Sequence, residues 1–244
     1  MDFDRIYNFR EGFAVVEKNG KRNFINTEGK LLCKEWFGYA DDFSNGLAIV
    51  RKGMRHNFIK PDGKLLCKEW HCFVSCFRGG FAHVETDGKD NFIKTDGKLL
   101  CEEWFDYAYD FNDGFAVVEK GGKANFIDED GKLLCEEWLD GALSFHGAFA
   151  IVKKNGKDNF LKTDGTILSD VWFDDVHEFR EGFAVVKLND RYNFISEKGY
   201  LLCEEWLDSV NSFHEGFAVV ERCDKKDFLK PNGELLYNTW CKKA

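Results

Sequence analysis

Apolar and polar positions alternate in short runs along the chain, and two-residue turns separate the runs. In the stretch 105–138, Phe115-Ala116-Val117-Val118-Glu119-Lys120 is rich in strand-forming residues, and Gly121-Gly122 follows as a turn. Asn125-Phe126-Ile127 is a second β run. Asp128-Glu129-Asp130-Gly131 turns again, and Lys132-Leu133-Leu134-Cys135 reads as a third strand. A further element, Phe105 to Phe111, has apolar residues at 105, 108 and 111, which fits an irregular strand or one helical turn. The pattern predicts a small meander of four strands, each about six residues long. Both faces of Phe115-Ala116-Val117-Val118 are apolar, so that strand is expected to be buried on both sides.

The same pattern recurs at a fixed interval. Trp36, Trp70, Trp104, Trp138, Trp172, Trp206 and Trp240 are spaced by 34 residues throughout. They end seven units, 3–36, 37–70, 71–104, 105–138, 139–172, 173–206 and 207–240, with no insertion or deletion. Phe9, Ala14, Val16, Phe24 and Gly29 each begin a column that repeats in step. Asn19-Gly20 and Asn155-Gly156 are strong hairpin signals, and two glycine turns per unit exclude a helical repeat of the same length. The expected fold is all-β, a single repeat domain over 1–244. Two architectures fit: a closed seven-bladed β-propeller with short blades, or an open β-solenoid. The end units keep the full set of core residues, which favours the propeller.

Composition narrows the function. The net charge is −9, spread along the chain, which argues against nucleic acid and against an anionic membrane surface. No apolar run is long enough to span a bilayer, and the first residues carry neither a basic nor an apolar leader segment, so a cytoplasmic protein is expected. The nine cysteines are odd in number, and five share one repeat position, which predicts packed thiols rather than a disulfide framework.

The run Glu11-Gly12-Phe13-Ala14-Val15-Val16-Glu17-Lys18-Asn19-Gly20-Lys21, continuing to Gly29-Lys30-Leu31-Leu32, resembles the WG-repeat (KWG-repeat) proteins of bacteria. The likeness extends over all seven units. The Trp-Gly pair of that family is replaced here by Arg22-Asn23, Ala124-Asn125 or Tyr192-Asn193, so no ligand role tied to that pair carries over. The resemblance implies a repeat module used in many contexts, and it implies no catalytic residue.

No nucleophile, nucleotide-loop, metalloprotease or dinucleotide motif is present, so no enzyme activity and no cofactor are expected. The Asn column, from Asn23 to Asn193 with Asp227 last, is expected to brace the hairpins, and the Glu column from Glu35 to form a solvated rim. His71, Cys72, Cys76 and His83 are metal-ligand types, but strand residues four apart lie about 13 Å from each other, so no metal site is expected. Positions that vary while the frame repeats are the candidates for recognition. Tyr7, Arg10, Asp41, Arg78, Tyr109, His146, His177, Arg180 and His214 are such residues, and their Tyr, Arg and His content suits a protein interface. The expected function is a protein-binding scaffold. A multivalent glycan binder built on the recurring Trp and Asn columns is the alternative.

Overall fold

The computed structural model describes residues 2–237 and contains seven three-stranded antiparallel sheets, with no helix among the described residues. The first sheet consists of β1 (Arg5–Arg10), β2 (Phe13–Lys18) and β3 (Lys21–Asn26). Its hairpin pairs Phe13 with Asn26, Val15 with Phe24 and Lys18 with Lys21. The later central strands start at Ala48, Phe81, Phe115, Phe149, Phe183 and Ala218, so the period is kept in three dimensions. The described chain groups into two compact units. One comprises Met1–Phe111, Val118–Gly121 and Glu129–Lys132, and the other Asn112–Val117, Gly122–Asp128 and Leu133–Ala244.

Two features differ from the four-strand expectation. The entry element is a strand of only two residues in every repeat after the first, for example Tyr107–Ala108 and Gly141–Ala142. The Leu-Leu-Cys run is no strand. It folds back along the edge strand with a single bridge, Ile25 to Leu31 in the first repeat, made by Asn26 N–H to the Lys30 carbonyl and Leu32 N–H to the Phe24 carbonyl. A regular ladder stops there because a side chain takes over. Asn23 is fully buried, donates Nδ2 to the carbonyls of Cys33 and Glu35 (both 2.9 Å) and accepts the Phe24 N–H at 2.7 Å. Asn57, Asn91 and Asn159 repeat the whole fork. Trp240 and Thr239, the last members of their columns, lie outside the described residues.

Both turns of most repeats carry positive φ at the two central residues, as at Glu11 (48°) with Gly12 (83°) and Asn19 (52°) with Gly20 (70°). Type I′ hairpins need this geometry because it matches the strand twist. The glycine column at 29 has a second reason to lack a side chain. A Cβ on Gly97 would lie 2.4 Å from the Leu66 carbonyl oxygen, and on Gly63 2.5 Å from that of Leu32, both in the preceding repeat.

The core lies between successive repeats. Val15 and Phe24 project from one face of the first sheet. They join Phe37, Ala40, Phe43, Ala48, Val50 and Ile59 of the second repeat in one buried cluster, against which Trp70 packs. The same partition recurs in the second unit, where Val185 and Phe194 meet Leu207, Phe213, Ala218, Val220 and Leu229. At these junctions the Phe of the later repeat packs against two rings of the earlier one. Phe43 lies 4.6 Å from Phe13 and 5.0 Å from Phe24, and Phe213 lies 4.9 Å from Phe183 and 5.0 Å from Phe194. Burying such a ring contributes about 2 kcal/mol. Backbone pairing adds to this contact: Arg22 and Phe37 exchange both N–H···O bonds at 2.8 Å, and Asp158 with Phe173 and Tyr192 with Leu207 do the same.

Two stability tests follow. Asn159→Ala removes the donor to the Ser169 and Val171 carbonyls and leaves the buried Phe160 N–H without its acceptor, so it is expected to lower unfolding stability by about 2–3 kcal/mol, read as a lower urea midpoint. Gly97→Ala meets the Leu66 carbonyl, whereas Gly20→Ala meets nothing within 4 Å. Both incur the left-handed backbone cost of about 1–2 kcal/mol, and only Gly97→Ala is expected to exceed it clearly in the same denaturation assay.

Candidate functional site

The recurring polar columns are occupied by the frame itself. Besides the Asn fork, an aspartate at the second position of the repeat ties the hairpin down in five repeats (Asp4, Asp106, Asp140, Asp174 and Asp208), and Gly38 and Cys72 stand there in the other two. Asp140 Oδ2 accepts the Asn155 N–H at 2.5 Å, and Asp174 Oδ2 accepts the Asn189 N–H at 2.6 Å. The second oxygen of each pairs with a lysine seventeen residues earlier, Lys123 to Asp140 and Lys157 to Asp174. Those lysine and backbone hydrogen bonds hold both carboxyls below the usual range. Glu35 and Glu137 of the exposed rim pair with Lys52 and Lys154 at 2.5 and 2.6 Å.

A third carboxylate series sits at the first turn. Glu11 accepts the backbone N–H groups of Asn45 and Gly46 at 2.9 and 2.8 Å, one repeat further on. Glu181 binds Glu215 and Gly216 in the same way, at 2.8 and 2.9 Å. These charged bonds help offset the left-handed φ of 48° at Glu11 and 51° at Glu181. Sequence reasoning missed both acidic series. Their signal was a lysine followed seventeen residues later by aspartate, and an acidic residue before the glycine of the first turn.

The predicted recognition residues fall into two groups. Arg10, Arg78, His146, Arg180 and His214 sit exposed at the first-turn tips. Some tips reach the next repeat: Arg78 Nη1 lies 4.0 Å from Asp110, and His146 Nε2 3.7 Å from Glu178. Tyr7 lies within β1, Asp41, Tyr109 and His177 directly follow their two-residue entry strands, and all four make local contacts. Tyr7 hydroxyl accepts from Arg22 at 3.3 Å, Asp41 accepts the Tyr39 hydroxyl at 2.6 Å, Tyr109 donates to Glu119 at 3.1 Å and His177 Nε2 lies 3.6 Å from Asp175. Beside them in the first unit stands an aromatic row that sequence reasoning did not single out. Phe73 is 47% exposed and Tyr107 61%, at the register position held by Tyr39. The Arg22 guanidinium lies 5.2 Å from the Tyr7 ring centre and 4.8 Å from that of Tyr39, and Arg51 lies 5.6 Å from Tyr39. In the second unit the same register holds Gly141, Asp175 and Ser209.

The metal-ligand types in 71–104 are dispersed among different partners. His71 is buried, with Nδ1 2.9 Å from the Thr86 hydroxyl, and burial lowers its pKa. His83 Nε2 lies 3.2 Å from Asp90 Oδ1 between the rings of Phe73 and Phe92. Among the described residues no group of three or more His, Cys, Asp or Glu side chains has a metal-holding arrangement.

The sequence matches the model of the WG containing repeat over 1–21, 24–53, 92–123 and 160–192. The matched segments are similar to that repeat, and they hold the Gly-Phe-Ala-Val-Val runs at 12–16, 114–118 and 182–186. No curated protein matches the sequence. Among solved structures, Hsv2p of Kluyveromyces lactis is 11% identical with a TM-score of 0.34, over 93% of each chain. Hsv2 of Kluyveromyces marxianus is also 11% identical with a TM-score of 0.34, over 94% of this chain and 91% of that one. PorZ, a bacterial surface component of the type-IX secretion system of Porphyromonas gingivalis, is 9% identical with a TM-score of 0.30, over 93% of this chain and 36% of that one. Among the described residues no helix is long and apolar enough to cross a membrane.

The cysteine column gives a direct check on packing. Burial pushes the Cys67 thiol up to about 12 and that of Cys203 up to about 11, whereas Cys76 and Cys223 are exposed. Because the thiolate is the reactive form, mild alkylation near neutral pH followed by peptide mass mapping is expected to label Cys76 and Cys223 first and Cys67 last.

Proposed function

We propose that this protein is a non-catalytic scaffold that binds a protein partner through the side chains that vary from repeat to repeat. The observation that carries the reading is a division of labour. The recurring Asn, Asp and Glu side chains are engaged in holding the repeats, while Phe73, Tyr107 and Tyr109 stand 47%, 61% and 49% exposed on one unit. Exposed aromatic rings are the chemistry of interface anchors, and differing side chains at equivalent positions fit one asymmetric partner. The reading is the same for a closed ring of seven blades and for an open array, since it rests on the repeated sheets alone.

The glycan alternative loses half of its proposed contact set. The amides of Asn23, Asn57, Asn91, Asn125, Asn159 and Asn193 are fully buried, so a sugar has no access to them. The tryptophans among the described residues are half-buried, as Trp104 is beside Val74, Ala82 and Val84.

The test is capture from a lysate of the native host on immobilised full-length chain, quantified by mass spectrometry. A paired Tyr107→Ser, Tyr109→Ser variant and a separate Arg180→Ala variant serve as comparisons. A protein retained by the wild type, lost at least about tenfold with one variant and indifferent to prior deglycosylation supports the reading. Equal capture by all three chains rejects these residues as the contact surface. Loss on deglycosylation instead makes the partner's sugars the ligand.

A further inference from the structure

The first turn of a repeat leaves two consecutive backbone N–H groups outside the hairpin ladder. In the third repeat Arg78 and Phe81 close that ladder, with N–H···O bonds of 2.8 and 3.1 Å, and the two central residues between them are Gly79 and Gly80. At other repeats the equivalent N–H pair is bound by an acidic side chain from the first turn of the preceding repeat. Glu11 accepts both N–H groups of Asn45-Gly46, at 2.9 and 2.8 Å, and Glu181 both of Glu215-Gly216, at 2.8 and 2.9 Å. Asp113 has one methylene fewer and accepts only that of Gly147, at 2.8 Å.

The residue in this role before Gly79-Gly80 is Asn45, which has an amide in place of the carboxylate. Among the described residues nothing accepts the N–H of Gly79 or Gly80. Asp113-Gly114 and Glu181-Gly182 likewise follow a residue without a carboxylate, Gly79 and Gly147. Those two turns carry a carboxylate of their own, whose charge disfavours a second anion. Gly79-Gly80 carries none, and a Cβ at either position would have nothing within 4 Å, so the approach is open. Arg78 stands beside the pair with its side chain 84% exposed, and its contact with the equally exposed Asp110, at 4.0 Å, is weak. Successive N–H groups in a turn of this kind form a concave anion site, and a guanidinium is the cation that best matches a carboxylate.

We infer that the Arg78-Gly79-Gly80 turn is a carboxylate-binding site, which takes from a partner polypeptide the acidic group that Glu11 and Glu181 supply internally. The two N–H groups donate to one oxygen each, as those of Asn45 and Gly46 do to Glu11, and Arg78 adds its positive charge. Asn45, Arg78, Gly79 and Gly80 all belong to one compact unit. The inference deepens the partner-binding reading above, and because peptides replace the partner in its test, the two can fail separately.

The experiment is an NMR titration of the isotope-labelled full chain with acetyl-Gly-Glu-Gly-amide, following the Gly79 and Gly80 amide signals. The glutamine analogue of that peptide is the uncharged control. Acetyl-Gly-Gly-Gly with a free carboxyl end separates a chain terminus from an acidic side chain as the source. Saturable downfield movement of both signals with either carboxylate peptide, and none with the glutamine peptide, supports the inference, and the tighter binder names the source. Arg78→Ala is expected to weaken binding about fivefold, the most that an exposed ion pair contributes. Asn45→Glu restores the internal carboxylate, so both signals are expected to lie downfield before peptide is added and to stop responding to it. Glutamate is accommodated at this left-handed position, as at Glu11 (φ 48°) and Glu181 (φ 51°). Asn45→Asp, which blocks the first N–H as Asp113 does, takes its place if it fails to fold. No movement in the wild type overturns the inference, as does equal movement with the glutamine peptide or an undiminished response in the Asn45 variant. Larger movement with inorganic phosphate than with either peptide overturns the assignment to a carboxylate.

Discussion

The structure depends on one buried side chain per repeat. An amide sealed from water must have its hydrogen bonds met inside the protein, and a carbonyl left without a donor costs about 1–3 kcal/mol. Asn91 meets three such needs at once, donating to the Cys101 and Glu103 carbonyls and accepting the Phe92 N–H. That fork lets the Leu-Leu-Cys run leave the sheet after one bridge without orphaning its backbone. The run is then free to lay its leucines and the following tryptophan over the sheet. Without the fork, the segment 99–104 has to remain a fourth strand or expose polar backbone in an apolar layer.

Once that segment is fixed, the spacing of neighbouring repeats follows. The leucine carbonyl at its start faces the glycine of the next repeat, and the approach is too close for any Cβ: 2.4 Å at Gly97 and 2.5 Å at Gly131. The Phe of the next entry segment then falls between two rings of the sheet before it. Polar columns add direction to this apolar contact. The lysine-to-aspartate pairs and the turn carboxylates each run from one repeat to a neighbour, and their bonds to backbone N–H groups fix register as well as distance. Many of these pairs are exposed, so they specify geometry more than they add stability.

Much of this was legible in the sequence, for identifiable reasons. A period of 34 with no insertion is a constraint on every junction, and the apolar character of both faces of Phe115-Ala116-Val117-Val118 placed the core between repeats. The bracing role of the Asn column was legible because a buried amide beside a Phe has few other uses. The third expected strand was misread because Leu-Leu-Cys has strand propensity, and nothing local reveals that its carbonyls are claimed by an asparagine ten residues earlier. The candidate surface was legible only in part. Tyr7 and Tyr109 stand out as variable, but Phe73 and Tyr107 could be separated from core aromatics only once the two-residue entry strands showed which way that position faces.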